Sequence, residues 1–259
     1  MNLDPIQWQE PPSTPCQSCT LQLWHIPLLD AEHSTPQDIH LAFPWLSADE
    51  CQRSLRYLKP IDGARFALAR ASLRYILSKT LQYPPQDLHF TYSEHGKPSL
   101  THHPELVFNL SHSHNHALLA LKTTHKNQEL KQQTLLGADT ERQDQNRDLL
   151  SMSKRVFSTT EQHDTQHTED LEERITRFYT IWTQKEAYIK ALGLGMNLPL
   201  QQFQVSSDFE HPALINAWHE HAQPPHTWHM LSGTLAQNYP FAVCINQPVS
   251  AVECYKLTM

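Results

Sequence analysis

The stretch WTQKEAYIK, Trp182 to Lys190, decides how this chain is read. Leu171, Ile175, Phe178, Trp182 and Ile189 recur at helical spacing and mark one apolar helix face. Lys185 and Glu186 fall in the same register, next along that face. A carboxylate forced toward a core costs several kcal/mol unless something neutralises it. A metal ion is one such partner, which directs attention to acids elsewhere in the chain.

Those acids stand in LLGADTE, where Asp139 and Glu141 are two apart behind the apolar pair Leu135 and Leu136. In an extended strand that spacing puts both carboxylates on one face. Two acids from a strand and one from a helix make a hard, all-oxygen site of the kind that suits magnesium. Such sites handle phosphate, because the ion offsets charge on its oxygens.

Composition sets outer limits. A chain of 259 residues, 39% hydrophobic, suffices for one large domain or two small ones. Eighteen prolines against six glycines point to rigid connections. No apolar run is long enough to span a bilayer, and the N-terminus lacks a basic region followed by an apolar stretch. The expectation is a cytoplasmic protein with no membrane partner. Five cysteines do not read as a disulfide framework, and the lone Cys16–Cys19 C-x-x-C has no second pair at ligand spacing. A net charge of −7 argues against nucleic-acid binding. Yet between Cys51 and Thr80 seven basic residues (Arg53, Arg56, Lys59, Arg65, Arg70, Arg74, Lys79) face one acid, Asp62. With phosphate chemistry already indicated, a polyanionic ligand is the expected reason for that cluster.

Along the chain, TLQLWHIPL from Thr20 reads as a strand. Ser47-Ala-Asp-Glu50 is a capping box that starts a helix running to about Leu58. Pro60 opens a second helix with Phe66, Leu73, Ile76, Leu77 and Leu81 on its buried side. Val107 to Leu110 and Ala117 to Leu121 read as strands joined by the polar loop SHSHNH. TTHKNQELKQQT reads as an exposed connection. The pattern then recurs: the strand LLGADTE, a second capping box at Ser158 to Glu161, a surface loop, a long helix from Glu169 to Leu192 stopped by Gly193, and strands at FQVSS, TWHML, FAVCI and VECYKL. The recurrence implies two halves of like fold meeting near residue 130.

At this point the chain resembles the 4'-phosphopantetheinyl transferases of the surfactin-synthetase (Sfp) type. The likeness rests on GKPSL from Gly96, FNLSHS from Phe108, GADTE from Gly137, KRVFSTTE from Lys154 and WTQKEAYIKALGLGM from Trp182, in the family's order. It covers roughly Ser47 to Pro199. It implies an α/β (α+β) fold in which two similar subdomains, each a small sheet packed by a long helix, are related by a pseudo-two-fold axis. Residues 1–130 would bind the phosphates and adenine of coenzyme A; residues 131–259 would hold magnesium and carry catalysis.

The resemblance also implies roles. Asp139, Glu141 and Glu186 would hold Mg2+. Arg53, Arg65, Lys97, Ser111, His112 and Lys185 would contact coenzyme A, with His112 reaching its 3'-phosphate. Glu186 and Lys190 would act in catalysis. Glu50 stands where the family has a lysine, so Arg56 or Lys59 would substitute there. The protein would move phosphopantetheine from coenzyme A to a serine of an acyl, peptidyl or aryl carrier protein, and would work as a monomer. The serine proton would pass to Glu186 or to a metal-bound water, between which the sequence does not choose. Two rival readings are another magnesium-dependent phosphotransferase or phosphodiesterase, and a histidine-rich metal-binding module built on His112, His114 and His116.

Overall fold

The computed structural model describes residues 1–3, 6–11, 20–124 and 133–258. The Cys16–Cys19 pair, most of the polar connection and the expected meeting point of the halves lie outside the described residues. In chain order the elements are β1 (Leu21–Pro27), α1 (Pro36–Ala42), α2 (Ala48–Ser54), α3 (Pro60–Leu81), β2 (Phe90–Tyr92), β3 (Pro98–Leu100), β4 (Leu106–Ser113) and β5 (His116–Thr123). There follow β6 (Leu136–Thr140), α4 (Leu149–Val156), α5 (Thr159–Gln166), α6 (Leu171–Leu192), β7 (Phe203–Val205), β8 (Leu214–Ala217), β9 (His229–Ala236), β10 (Tyr239–Ile245) and β11 (Val252–Lys256).

The fold is mixed α/β, as the sequence implied. The larger sheet has strand order β11-β1-β5-β4 and is packed by α3; the next has order β6-β10-β9 and is packed by α6, and β2-β3 and β7-β8 form two-stranded sheets. Strand periodicity explains how they join. On β1, Trp24 and Ile26 face α3, whereas Leu21 and Leu23 face the other way into a core between the sheets. Leu118 and Ala120 of β5, Leu136 and Ala138 of β6, and Phe241, Val243 and Ile245 of β10 complete that central layer. The ends of the chain cross over: β11 pairs in parallel with β1, while Asn2 bridges Ser232 beside β9.

The two long helices have the same length, 22 residues, and similar supports. Ser47 and Glu50 form the capping box of α2, and Ser158 and Glu161 form that of α5. Each capping glutamate is buried and meets a cation from the long helix. Glu50 accepts from Arg70 and Arg74 at 2.7 Å; Glu161 lies 2.9 Å from the ammonium of Lys185. These pairs account for residues that the sequence reading places elsewhere. Arg70 and Arg74 are not free to meet a polyanion. Lys185 is turned into the core, where its remaining N–H groups go to the carbonyls of Leu200 and Phe203.

Other differences are local. Residues expected as a surface loop after Glu161 belong to α5, whose polar face conceals the buried Glu161 and Thr165. The helix expected to reach Leu58 ends at Ser54. SHSHNH is not a loop: β4 continues through Ser113, and the chain reverses at His114, which adopts φ 47°. The long helix ends as expected at Gly193, with φ 72°.

Two predictions test these supports. Lys185→Ala leaves Glu161 buried and unpaired, and is expected to cost about 3–5 kcal/mol in urea unfolding. Burial, aided by the neighbouring His116 and Lys256 charges, pushes the pKa of His25 from 6.5 to about 3. The unfolded chain therefore binds a proton more readily there. The contribution of His25 is complete above pH 6.5 and is lost as pH falls toward 3. His25→Gln is expected to flatten the acid limb of a stability–pH curve across that window.

Candidate active site at the seam between the sheets

β6 is the edge strand of its sheet, so every second N–H points away from β10. Those groups are met by side chains of β4. Ala138 N–H donates to Asn109 Oδ1 (2.8 Å), Thr140 N–H to Ser111 Oγ (3.4 Å) and Arg142 N–H to Ser113 Oγ (3.1 Å). On β4 these residues alternate with Leu106 and Phe108, which face α3. The polar comb thus joins the two sheets without a continuous backbone ladder.

Two teeth of the comb also hold acids. Ser111 Oγ donates to Asp139 Oδ1 at 2.9 Å, and Ser113 Oγ donates to Glu141 Oε2 at 2.8 Å. Asp139 is only 2% exposed, and its second oxygen, Oδ2, has no hydrogen-bond partner. On the other side stands α6, brought close by Gly137: a Cβ there would lie 2.0 Å from the carbonyl of Ala187. α6 delivers Lys190, whose ammonium contacts Asp139 Oδ1 at 2.5 Å and Ser111 Oγ at 3.0 Å.

Glu186 lies one turn before Lys190. Burial and the nearby charges of Asp139 and Glu141, only partly offset by Lys190, push its pKa up to about 7. Burial and Asp139 likewise raise that of Glu141. Desolvation works against the Lys190 ammonium, yet Asp139, Glu186 and Glu141 outweigh it and hold its pKa above the ordinary value. Asp139, Glu141 and Glu186 therefore sense one another's charge. Among the described residues, no three acidic, imidazole or thiol groups are drawn into a finished coordination sphere. The acids gather about Lys190 instead. Their hard oxygen donors, the partnerless Asp139 oxygen and the mutual repulsion fit a divalent cation.

Clefts open on both sides of this cluster. One of about 500 Å³ is lined by Tyr57, Lys59, Arg65, His112 and Glu141. Arg65 enters it from α3, held by Asp62 and by Asn115 Oδ1. Arg53 lies exposed over the ring of Phe66. His112 keeps a solvent-accessible face, but the surrounding protein and the charges of Lys190 and Arg65 push its pKa down to about 4. The other cleft, about 200 Å³, is lined by Gly96, Lys97, Asn109, Lys190 and Gly193. Lys97 gives two of its N–H groups to the carbonyls of Leu136 and Ala191, at 2.9 and 2.8 Å. Burial lowers its pKa to about 8. A further cleft of about 520 Å³, beside Trp218 and His219, contains none of the three acids.

The expected residues thus separate into groups. Asp139, Glu141, Glu186, Lys190 and Ser111 lie together, with His112 and Arg65 lining the adjoining opening, while Arg53 lies over Phe66 and does not line it. Ser111 is engaged with Asp139, Thr140 and Lys190 rather than offered to solvent. Lys97 serves as a clamp between the β2–β3 hairpin and the end of α6, and Lys185 lies outside the site. Sequence reasoning missed Asn109 and Ser113; their signal was the alternation N-x-S-x-S opposite A-x-T-x-R. The imidazoles expected as an alternative metal site diverge, since His116 bonds His25 at 2.9 Å whereas His112 faces the cleft.

Comparison with known proteins gives the same answer from another direction. The family described as "4'-phosphopantetheinyl transferase superfamily" matches residues 135–244, and "4'-phosphopantetheinyl transferase, N-terminal" matches residues 33–124. The chain is 34% identical to the 4'-phosphopantetheinyl transferase HetI of Nostoc sp. over 215 residues, 81% of this chain and 84% of HetI. It is 35% identical to the protein slr0495 of Synechocystis sp. over 159 residues, 61% of each chain. It is 30% identical to the 4'-phosphopantetheinyl transferase Sfp of Bacillus subtilis over 161 residues, 62% of this chain and 66% of Sfp. The matched segments thus span less than two thirds of slr0495 and Sfp but most of HetI. Likeness extending across both sheets, and across the strand and helix that carry the acids, shows that the protein belongs to the 4'-phosphopantetheinyl transferase superfamily.

Proposed function

We propose that this protein is a transferase of the Sfp type, which moves 4'-phosphopantetheine from coenzyme A to a serine of an apo carrier protein. The observation that supports the reading most strongly is the buried Asp139 held by Lys190 and Ser111, with Glu141 on Ser113 two residues on and Glu186 one turn before Lys190. The serine hydroxyl attacks the β-phosphorus of coenzyme A. A new P–O bond forms, the bond to the bridging pyrophosphate oxygen breaks, and adenosine 3',5'-bisphosphate leaves.

Asp139, Glu141 and Glu186 would hold Mg2+, which when bound supplies positive charge to the pyrophosphate oxygens. The chain's own groups do the rest. Lys190 opposes the charge that gathers on the leaving phosphate. The serine proton would pass to Glu186 or to a metal-bound water. Arg65, with Arg53 at the rim, offers a fork to the phosphates of coenzyme A, and His112 reaches the 3'-phosphate. Holding donor and carrier serine in one groove converts a bimolecular collision into an oriented reaction. The division of labour follows the sheets: residues up to about 130 grip the nucleotide, and those after it carry the acids. No helix among the described residues is long and apolar enough to cross a membrane.

Incubation with coenzyme A, Mg2+ and an apo carrier protein is expected to raise the carrier's mass by one phosphopantetheine. Asp139→Ala and Glu186→Gln are expected to slow this by more than about 100-fold, beyond the loss from removing a mere supporting group around a metal. Normal rates in both variants would refute the assignment. Arg65→Gln removes a charge-assisted phosphate contact of about 1.5–3 kcal/mol. It should raise the coenzyme A concentration for half-maximal rate at least tenfold, with kcat little changed.

A further inference from the structure

Ser113 is not among the residues that the resemblance assigns, yet its position is specific. It sits two residues beyond Ser111 on β4, as Glu141, just past the end of β6, sits two beyond Asp139. Its hydroxyl oxygen accepts Arg142 N–H at 3.1 Å, and its one proton goes to Glu141 Oε2 at 2.8 Å. Ser113 is 7% exposed, so water does not readily replace either bond. Thr140 is the last residue of β6, so Glu141 leaves the sheet with only the bond from its own N–H to the Pro240 carbonyl to steady its backbone.

Asn109 provides the comparison. It occupies the same comb and takes Ala138 N–H at 2.8 Å, but no contact joins it to an acid. Asn109 therefore fastens β6 without aiming a carboxylate, whereas Ser113 does both.

We propose that Ser113 is a positioning residue: by donating to one oxygen of Glu141 it turns the other toward the groove shared with Asp139 and Glu186, and so sets affinity for the divalent cation. The inference rests on the transferase reading for its purpose but not for its test. Hydrogen-bond donors that orient metal-ligating carboxylates typically contribute 10–100-fold in metal affinity.

The experiment titrates the folded protein, without coenzyme A or carrier, with Mn2+ followed by electron paramagnetic resonance. Ser113→Ala is expected to weaken Mn2+ binding about tenfold or more. Asn109→Ala is expected to lower the melting temperature while leaving Mn2+ affinity within about twofold of wild type, since no acid loses a donor. If Ser113→Ala does not fold, the nearly isosteric Ser113→Cys, whose thiol is a weak donor, must show the same loss. In transfer assays the Ser113 variants should need more Mg2+ for half-maximal rate, with the coenzyme A requirement unchanged. Wild-type affinity in the Ser113 variants, or equal weakening in the Asn109 variant, would overturn the proposal. A wild-type protein that binds Mn2+ at these acids but modifies no carrier would refute the transferase reading and leave this one intact.

Discussion

The rest of the site depends on one buried carboxylate. Asp139 is almost fully enclosed, and only one of its oxygens is satisfied, by Ser111 and Lys190. A buried charge in that condition is costly unless its surroundings are arranged to keep it. The arrangement here is threefold. An edge strand takes its outward hydrogen bonds from side chains of the other sheet. A glycine, Gly137, lets α6 lie directly on that strand. An ammonium one turn beyond Glu186 balances the acids. The comb, with the Lys97 clamp and the Lys190–Ser111 bond, holds the acids of one sheet against the hydroxyls of the other.

The internal symmetry of the fold clarifies why the site lies at the seam. Each half uses the same support, a capping-box glutamate buried against cations of a 22-residue helix. The cations differ: two arginines meet Glu50 and one lysine meets Glu161. Once these supports are set aside, the functional charges fall on opposite sides. Arg53, Arg65 and His112 come from the first half; Asp139, Glu141, Glu186 and Lys190 come from the second. The basic groups of one half and the acids of the other then meet at the seam between the sheets. Buried ion pairs of this kind add little net stability compared with apolar packing, but removal of one partner is severe.

Much of this was legible in the sequence because it rests on local patterns. The two capping boxes, Pro60 at a helix start, Gly193 at a helix end and the two-residue spacing of Asp139 and Glu141 are short-range signals with direct physical causes. What the sequence hid is tertiary. SHSHNH looks like a solvated loop because polar alternation normally means water on one side; here the alternate side chains face an edge strand. Lys185 and Glu186 are neighbours in the chain but project about 100° apart on a helix, so one enters the core and the other the groove. The basic run from Arg53 to Lys79 overstated the free positive charge, since Arg70 and Arg74 are paired inside with an acid, Glu50, that stands before the run. α5 escaped notice because its buried residues are themselves polar.

The central claim is that the acids of β6 and α6 share a single divalent cation in this groove. Diffraction from crystals grown with Mn2+ and coenzyme A tests it most directly, through the anomalous signal of the metal. The account predicts one strong anomalous peak in contact with the carboxylates of Asp139, Glu141 and Glu186 and beside the pyrophosphate, with Lys190 displaced from Asp139. A groove without such a peak, or a peak held by imidazoles away from the three acids, would contradict it.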